Sequence, residues 1–180
     1  MYGMVNRAIE EMVTSSHGDE VWDQIKQRAG VDIDVFISSE GYPDSITYGL
    51  VGAASDVLGI PPDQVMEAFG EYWILETTKR GYSDLIASGG TSLREFLLNL
   101  PNFHARLSMI FPHLAPPEFL VSDVGDRSLR LHYLSDRAAL TPFVKGLVQG
   151  LGKMFATPVQ VELSVAKDVG ADHDEFLVQW

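Results

Sequence analysis

Two sets of residues carry side chains that packing alone would not ask for. The first is His104, inside the apolar run Ser92-Leu-Arg-Glu-Phe-Leu-Leu-Asn-Leu-Pro-Asn-Phe-His-Ala-Arg-Leu-Ser-Met-Ile-Phe-Pro112. At about 3.6 residues per turn, Leu100, His104, Ser108 and Phe111 share one stripe of a helix. An imidazole on that stripe is either a core histidine satisfied by a hydrogen bond or a lone ligand to a metal or haem iron. The second set is Tyr133, Ser135 and Arg137, in Leu129-Arg-Leu-His-Tyr-Leu-Ser-Asp-Arg137. Alternate residues of a strand share a face, so the apolar side of Leu129 and Leu131 continues as hydroxyl, hydroxyl and guanidinium. That series is a donor ladder suited to carboxylates, with Arg137 able to bind one bidentately. The same pattern also describes a strand emerging into solvent at Ser135.

The elements that must position these residues follow from local signals. Ser92 and Glu95 form a capping box that marks the start of the His104 helix. Pro112 marks its end, and Pro101 should kink or restart it three residues before the histidine. Upstream, Val5, Ala8, Ile9 and Met12 at helical spacing predict a first helix ending near Ser15 to Gly18, and further helices follow over about 20–29, 44–58 and 62–78, with Gly30 and Gly59 as natural stops and Pro61-Pro62 opening the last. Gly70 inside that fourth helix costs on the order of 1 kcal/mol against alanine, so something large should approach the backbone there; a helix crossing would explain it equally well. A short helix over 82–88 precedes Gly89-Gly90. Downstream, 119–124 and 128–135 read as a hairpin turning at Gly125-Asp126, 139–155 as a helix, and 159–165 with 176–180 as a second hairpin. This is an α+β chain: a mostly helical first two thirds, then a four-stranded antiparallel sheet with one helix inserted between its two hairpins.

Other candidates are weaker. Gly146 to Lys153 is glycine-rich but lacks phosphate-loop spacing, and reads as helix packing and termination. His17, His113, His132 and His173 read as solvated, with His132 facing opposite to Tyr133. Asp172, Asp174 and Glu175 beside His173 could hold a divalent ion, but a charged hairpin tip is the favoured reading. The 180 residues suit one domain, and 13 basic against 25 acidic side chains, a net charge of −12, disfavour nucleic acid and anionic membrane as partners. With no cysteine, disulfides, thiolate nucleophiles and cysteine-held metals are excluded. No signal peptide and no apolar run of roughly 18 residues appear, so a cytoplasmic location is expected.

His104, the Tyr-x-Ser-x-Arg ladder about 29 positions on, and Pro116-Pro117 together resemble the H-NOX family, haem nitric oxide/oxygen binding domains related to the haem domain of soluble guanylate cyclase. The likeness extends from Met1-Tyr-Gly through Phe69-Gly-Glu-Tyr-Trp73 to the last hairpin, and looks closest to cyanobacterial members. It implies one H-NOX-like domain over 1–180, with about 1–60 as a distal lobe, 61–180 carrying the proximal helix and sheet, and a b-type haem buried between the two. His104 would be the proximal ligand, Tyr133, Ser135 and Arg137 the propionate clamp, and Pro117 the residue pressing on the porphyrin. Leu100 and Gly70 would line the cofactor, the haem itself then being the large object at Gly70.

Oxygen-binding members carry a distal tyrosine whose place here falls at or beside Phe143, which cannot donate a hydrogen bond. The resemblance therefore implies a distal pocket of Val5, Trp73, Phe143 and Leu147 that binds NO and CO and discriminates against O₂, with the Trp73 indole N–H the one nearby donor. It implies a gas sensor rather than an enzyme, relaying the state of the His104–iron bond to a partner histidine kinase or cyclic-dinucleotide enzyme. The alternatives are a haem peroxidase or NO-scavenging oxygenase, for which no distal acid-base residue is evident, and a haem-free adaptor.

Overall fold

A computed structural model describes residues 1–80, 82–110 and 116–180, with Ser108 and Ile110 described by their backbone alone. The chain divides into two compact units, Met1–Phe69 and Gly70–Trp180. The first contains helices α1 (Gly3–His17), α2 (Asp19–Ala29) and α3 (Asp44–Leu58), and most of α4 (Pro62–Tyr72). Gly30 and Gly59 end α2 and α3 in the left-handed conformation, φ +66° and +68°, which side chains with a Cβ resist. Pro62 opens α4, where its missing N–H deprives no helical carbonyl of a donor.

The helix predicted over 62–78 does not run as one. It is α-helical to Tyr72, π-helical over Trp73–Thr77 and 3₁₀ over Thr78–Arg80. The short α5 (Ser83–Ala87) then leads to α6 (Leu93–Ile110), which carries His104 and runs through Pro101 without a break. Its entry differs from a full capping box. The Glu95 N–H donates to Ser92 Oγ at 3.2 Å as expected, but the Glu95 carboxylate accepts from Thr91, N–H at 2.9 Å and hydroxyl at 2.6 Å. These two bonds hold the Glu95 carboxyl below its usual pKa range. Leu93, Phe96, Leu97, Leu100 and Phe103 form the buried stripe of α6. Phe111, Pro112 and His113 lie outside the described residues, as does the side chain of Ser108.

The sheet has the order β1-β2-β4-β3, all antiparallel, from β1 (Glu118–Ser122), β2 (Ser128–Leu134), β3 (Gln160–Val165) and β4 (Asp174–Gln179). The two predicted hairpins are present, joined through β2 and β4, and α7 (Thr141–Met154) lies between them in sequence. On the inner face Leu129, Leu131 and Tyr133 pair with Val178, Phe176 and Asp174, and all six are buried. This face joins α6 and α7 in one core. The alternation of β3 does not produce a buried face at its far end: Leu163 and Val165 are 40% and 39% exposed on the edge of the sheet.

Candidate functional site

His104 projects from α6 toward the sheet. Its Nδ1 lies 3.2 Å from the Leu100 carbonyl, so Nδ1–H donates one turn back along the helix and the lone pair of the neutral ring sits on Nε2. The imidazole is packed between aromatic rings, 5.7 Å from Phe103 and 4.7 Å from Phe119, centroid to centroid. Burial pushes its pKa down to about 4, with the Leu100 carbonyl opposing the fall. At neutral pH His104 is therefore an uncharged base in an apolar wall.

Phe119 connects that wall to the ladder. It is the direct antiparallel partner of Tyr133, and the two rings stand 5.4 Å apart. Tyr133 is buried on the inner face of β2. Ser135 and Arg137 are half-buried but lie beyond Leu134, where β2 ends, so the strand alternation that would align them with Tyr133 stops one residue short. A turn places them instead: the Arg137 N–H donates to Ser135 Oγ at 3.1 Å. Asp174, across from Tyr133, anchors this corner. It accepts from the Lys167 N–H at 2.7 Å and from the Thr141 hydroxyl at 2.5 Å, while Lys167 Nζ donates to the Ser135 carbonyl at 2.7 Å. Sequence reasoning put Asp174 in a solvated charged tip; it is 5% exposed and ties β4 to the start of α7. Only the odd place of an aspartate on the apolar face of β4 could have signalled this.

Gly70 is accounted for by a helix crossing. A Cβ there would stand 2.2 Å from the Phe143 carbonyl oxygen and 2.7 Å from the Leu147 nitrogen, both α7 backbone, so the crossing by itself requires glycine. Gly150 on α7 makes the matching approach, its Cβ position 2.9 Å from Ile74 and 3.2 Å from Glu71. The glycine-rich segment of α7 is thus a packing face, as its spacing suggested. The crossing brings Trp73, first residue of the π segment, edge-on to Phe143 at 6.5 Å. Leu147 packs half-buried beside the same core. Val5 lies half-buried on α1, in the first unit. Pro117 is half-buried immediately before β1, and Leu100 is buried on α6 one turn before His104. The π segment went unforeseen, as did the Tyr72 and Thr77 hydroxyls at its ends, which are buried with no hydrogen-bond partner among the described residues. Insertions of this kind recur at functional sites.

Comparison with known proteins identifies the family and the fold. A family model described as Haem-NO-binding matches residues 2–163. Among curated relatives, soluble guanylate cyclase gcy-31 of Caenorhabditis elegans is 29% identical over 175 residues, 96% of this chain and 25% of that protein. Soluble guanylate cyclase gcy-32 of the same organism is 31% identical over 156 residues, 85% of this chain and 23% of that protein. The chain thus spans about a quarter of the length of these relatives. An H-NOX protein from S. oneidensis in the Fe(II)NO ligation state superposes with a TM-score of 0.89 at 20% identity, over 99% of this chain and 98% of that one. The Fe(II) unliganded H-NOX protein from K. algicida gives 0.86 at 22%, over 99% and 96%. These two share the α+β fold described above. From the family match across 2–163, this chain belongs to the Haem-NO-binding, or H-NOX, family of haem-binding gas-sensor domains.

Proposed function

We propose that this chain holds a b-type haem on His104 and senses NO, and also CO, while discriminating against O₂. The observation that carries this reading is the state of His104: a neutral imidazole, its Nδ1 proton engaged by the Leu100 carbonyl, on an apolar wall that leads through Phe119 to Tyr133. Iron binding needs an unprotonated nitrogen with its ring oriented by a bond from the other nitrogen, and this donor set meets both needs. Two hydroxyls and a guanidinium at Tyr133, Ser135 and Arg137 have the chemistry to hold the two propionates. When bound, the haem supplies the ferrous iron at which diatomic gases bind.

Around the cofactor, Pro117 and Leu100 supply apolar contact, Gly70 lets the α7 backbone come close, and Trp73, Phe143 and Leu147 form the distal side. Phe143 excludes water without offering a donor. Bound O₂ carries partial negative charge and needs a donor, whereas NO and CO depend on one far less. α6 carries His104 at one end of the signal, and a partner histidine kinase or cyclic-dinucleotide enzyme in the cytoplasm reads the other. Such a partner must bind the two states with different affinity for any signal to pass.

The test is the absorption spectrum of the ferrous protein in air, under NO, and under NO with His104→Gly supplied with imidazole. The expected result is no oxy complex in air, a nitrosyl spectrum under NO, and loss of native haem binding in His104→Gly that imidazole restores. A His104→Gly spectrum identical to that of the parent would overturn the ligand assignment. A stable oxy complex would overturn the O₂ discrimination and point to Trp73 Nε1 or Tyr72 Oη as the donor.

A further inference from the structure

The outer face of the sheet carries a second constellation, turned away from His104. His132 follows Leu131 and precedes Tyr133 on β2, so it points to the side opposite both, across from Glu175 on β4. His173, in the loop before β4, reaches back over the same spot. The His132 Nδ1 and His173 Nε2 atoms are 2.9 Å apart, and Glu175 Oε2 lies 3.7 Å from His132 Nδ1. One ligand atom from each of the three residues falls within 4.8 Å of the others.

The outer nitrogens are each held. His132 Nε2 stands 2.7 Å from Ser122 Oγ, and His173 Nδ1 stands 2.5 Å from Asp172 Oδ1. The Asp172 carboxylate can only accept, so the His173 proton sits on Nδ1 and its lone pair points inward from Nε2. Without an ion, Ser122 Oγ–H donates to His132 Nε2 and His132 Nδ1–H donates to His173 Nε2. Turning the Ser122 hydroxyl so that it accepts from Nε2–H moves the His132 lone pair to Nδ1, beside that of His173 Nε2, where one cation can take both. The carboxylate oxygen is available in the same sense. Arg130 and Ser164 engage Glu175 Oε1, which leaves Oε2 turned to the histidines. Those contacts outweigh burial and hold the Glu175 carboxyl below its usual range. Arg130 is a like charge close by, and its pairing with both Glu175 and Asp123 offsets it.

We propose that His132 Nδ1, His173 Nε2 and Glu175 Oε2 bind a divalent transition ion of the zinc class, with Asp172 and Ser122 orienting the two imidazoles from behind. Two histidines and one carboxylate are an established zinc donor set, and a hydrogen bond to the far nitrogen of each ring fixes its orientation and raises its basicity. Zinc–nitrogen bonds of about 2.0–2.1 Å in tetrahedral geometry place two imidazole nitrogens about 3.3 Å apart, so the rings need open by only about 0.4 Å. Ser122, His132, Asp172 and His173 line an open groove of about 820 Å³, which gives a water ligand access to the fourth position. The ligands His132 and Glu175 point away from the Tyr133 side of the sheet, and the groove they open into also reaches Leu98 and Pro101 of α6.

The test is equilibrium dialysis of the tag-free, haem-loaded protein against zinc chloride, with zinc counted against haem iron by elemental analysis. The expected result is one zinc per iron. His173→Ala and Glu175→Gln should each lower zinc affinity at least tenfold with haem content and circular dichroism unchanged, and Asp172→Ala should lower it about tenfold. Absence of retained zinc in the parent protein, or equal zinc in parent and both ligand variants, would overturn the assignment. Should either variant misfold, anomalous scattering at the zinc edge from the parent protein decides: a peak between His132 and His173 supports the site, and a peak elsewhere or none refutes it.

Discussion

The imidazole of His104 and the phenyl ring of Phe119 are packed 4.7 Å apart at 53° to one another. His104 is fixed along the helix by its bond to Leu100, and Phe119 fixes it across the helix, so the ring has support in two directions. Because Phe119 is also the ladder partner of Tyr133, α6 and the sheet share one aromatic joint.

Phe119→Ala should therefore lower stability by about 3–5 kcal/mol, the usual cost of deleting a buried phenyl ring, and loosen haem retention more than Phe119→Leu does. Urea denaturation and the rate of haem transfer to an acceptor globin measure the two effects.

Acid should destabilise the haem-free protein through His104. Its folded pKa, about 4, lies below the unfolded value of 6.5, so between these pH values the unfolded chain binds the extra proton. Stability is then complete above about pH 6.5 and falls as pH drops toward 4, by at most about 3 kcal/mol. In urea melts at a series of pH values, His104→Gln should lack this component. An identical slope in the variant would contradict the assignment.

Gly70→Ala should cost about 1–3 kcal/mol or more, because its Cβ would meet rigid α7 backbone on the other side of the crossing. Gly52→Ala in α3 has nothing within 4 Å of its Cβ and should stabilise by about 0.5–1 kcal/mol. Thermal melts of the two variants should move in opposite directions.

Removing the Asp174 carboxylate would strand the Lys167 N–H and the Thr141 hydroxyl. Asp174→Ala should cost about 2–6 kcal/mol at roughly 1–3 kcal/mol for each unsatisfied group, and loosen the Ser135–Arg137 turn. Tyr133→Phe, which keeps the ring, should change stability by no more than about 1.5 kcal/mol while speeding haem loss if its hydroxyl holds a propionate. Parallel denaturation and haem-transfer measurements separate the two roles.

Much of the fold could be read from the chain because its signals were local. The Ser92 cap, the apolar stripe around Phe96 and Leu100, and the alternation at Leu129 and Leu131 each depend on a few neighbouring residues. The features that escaped are set by distant partners. The π segment at Trp73 occurs where the chain leaves the Gly70 crossing, which involves α7 some seventy positions on. β2 ends at Leu134 where the Asp174 corner takes over, and nothing around Ser135 announces it. His132 and His173 looked like two solvated histidines because only the β2–β4 register brings them together. Of the candidate site, the residue types were legible, and the means of holding them in place was not.

The alternation of β2 has a thermodynamic consequence. His132 and Tyr133 are joined by a single peptide unit and face opposite sides of the sheet, so a tilt of that unit is felt on both. Any free energy that an ion at His132 passes to the Tyr133 side must return in equal measure: if zinc tightens or weakens the hold on haem by some factor, haem changes the hold on zinc by that same factor. The two affinities, measured each in the presence of the other, form a closed cycle that can be checked for balance.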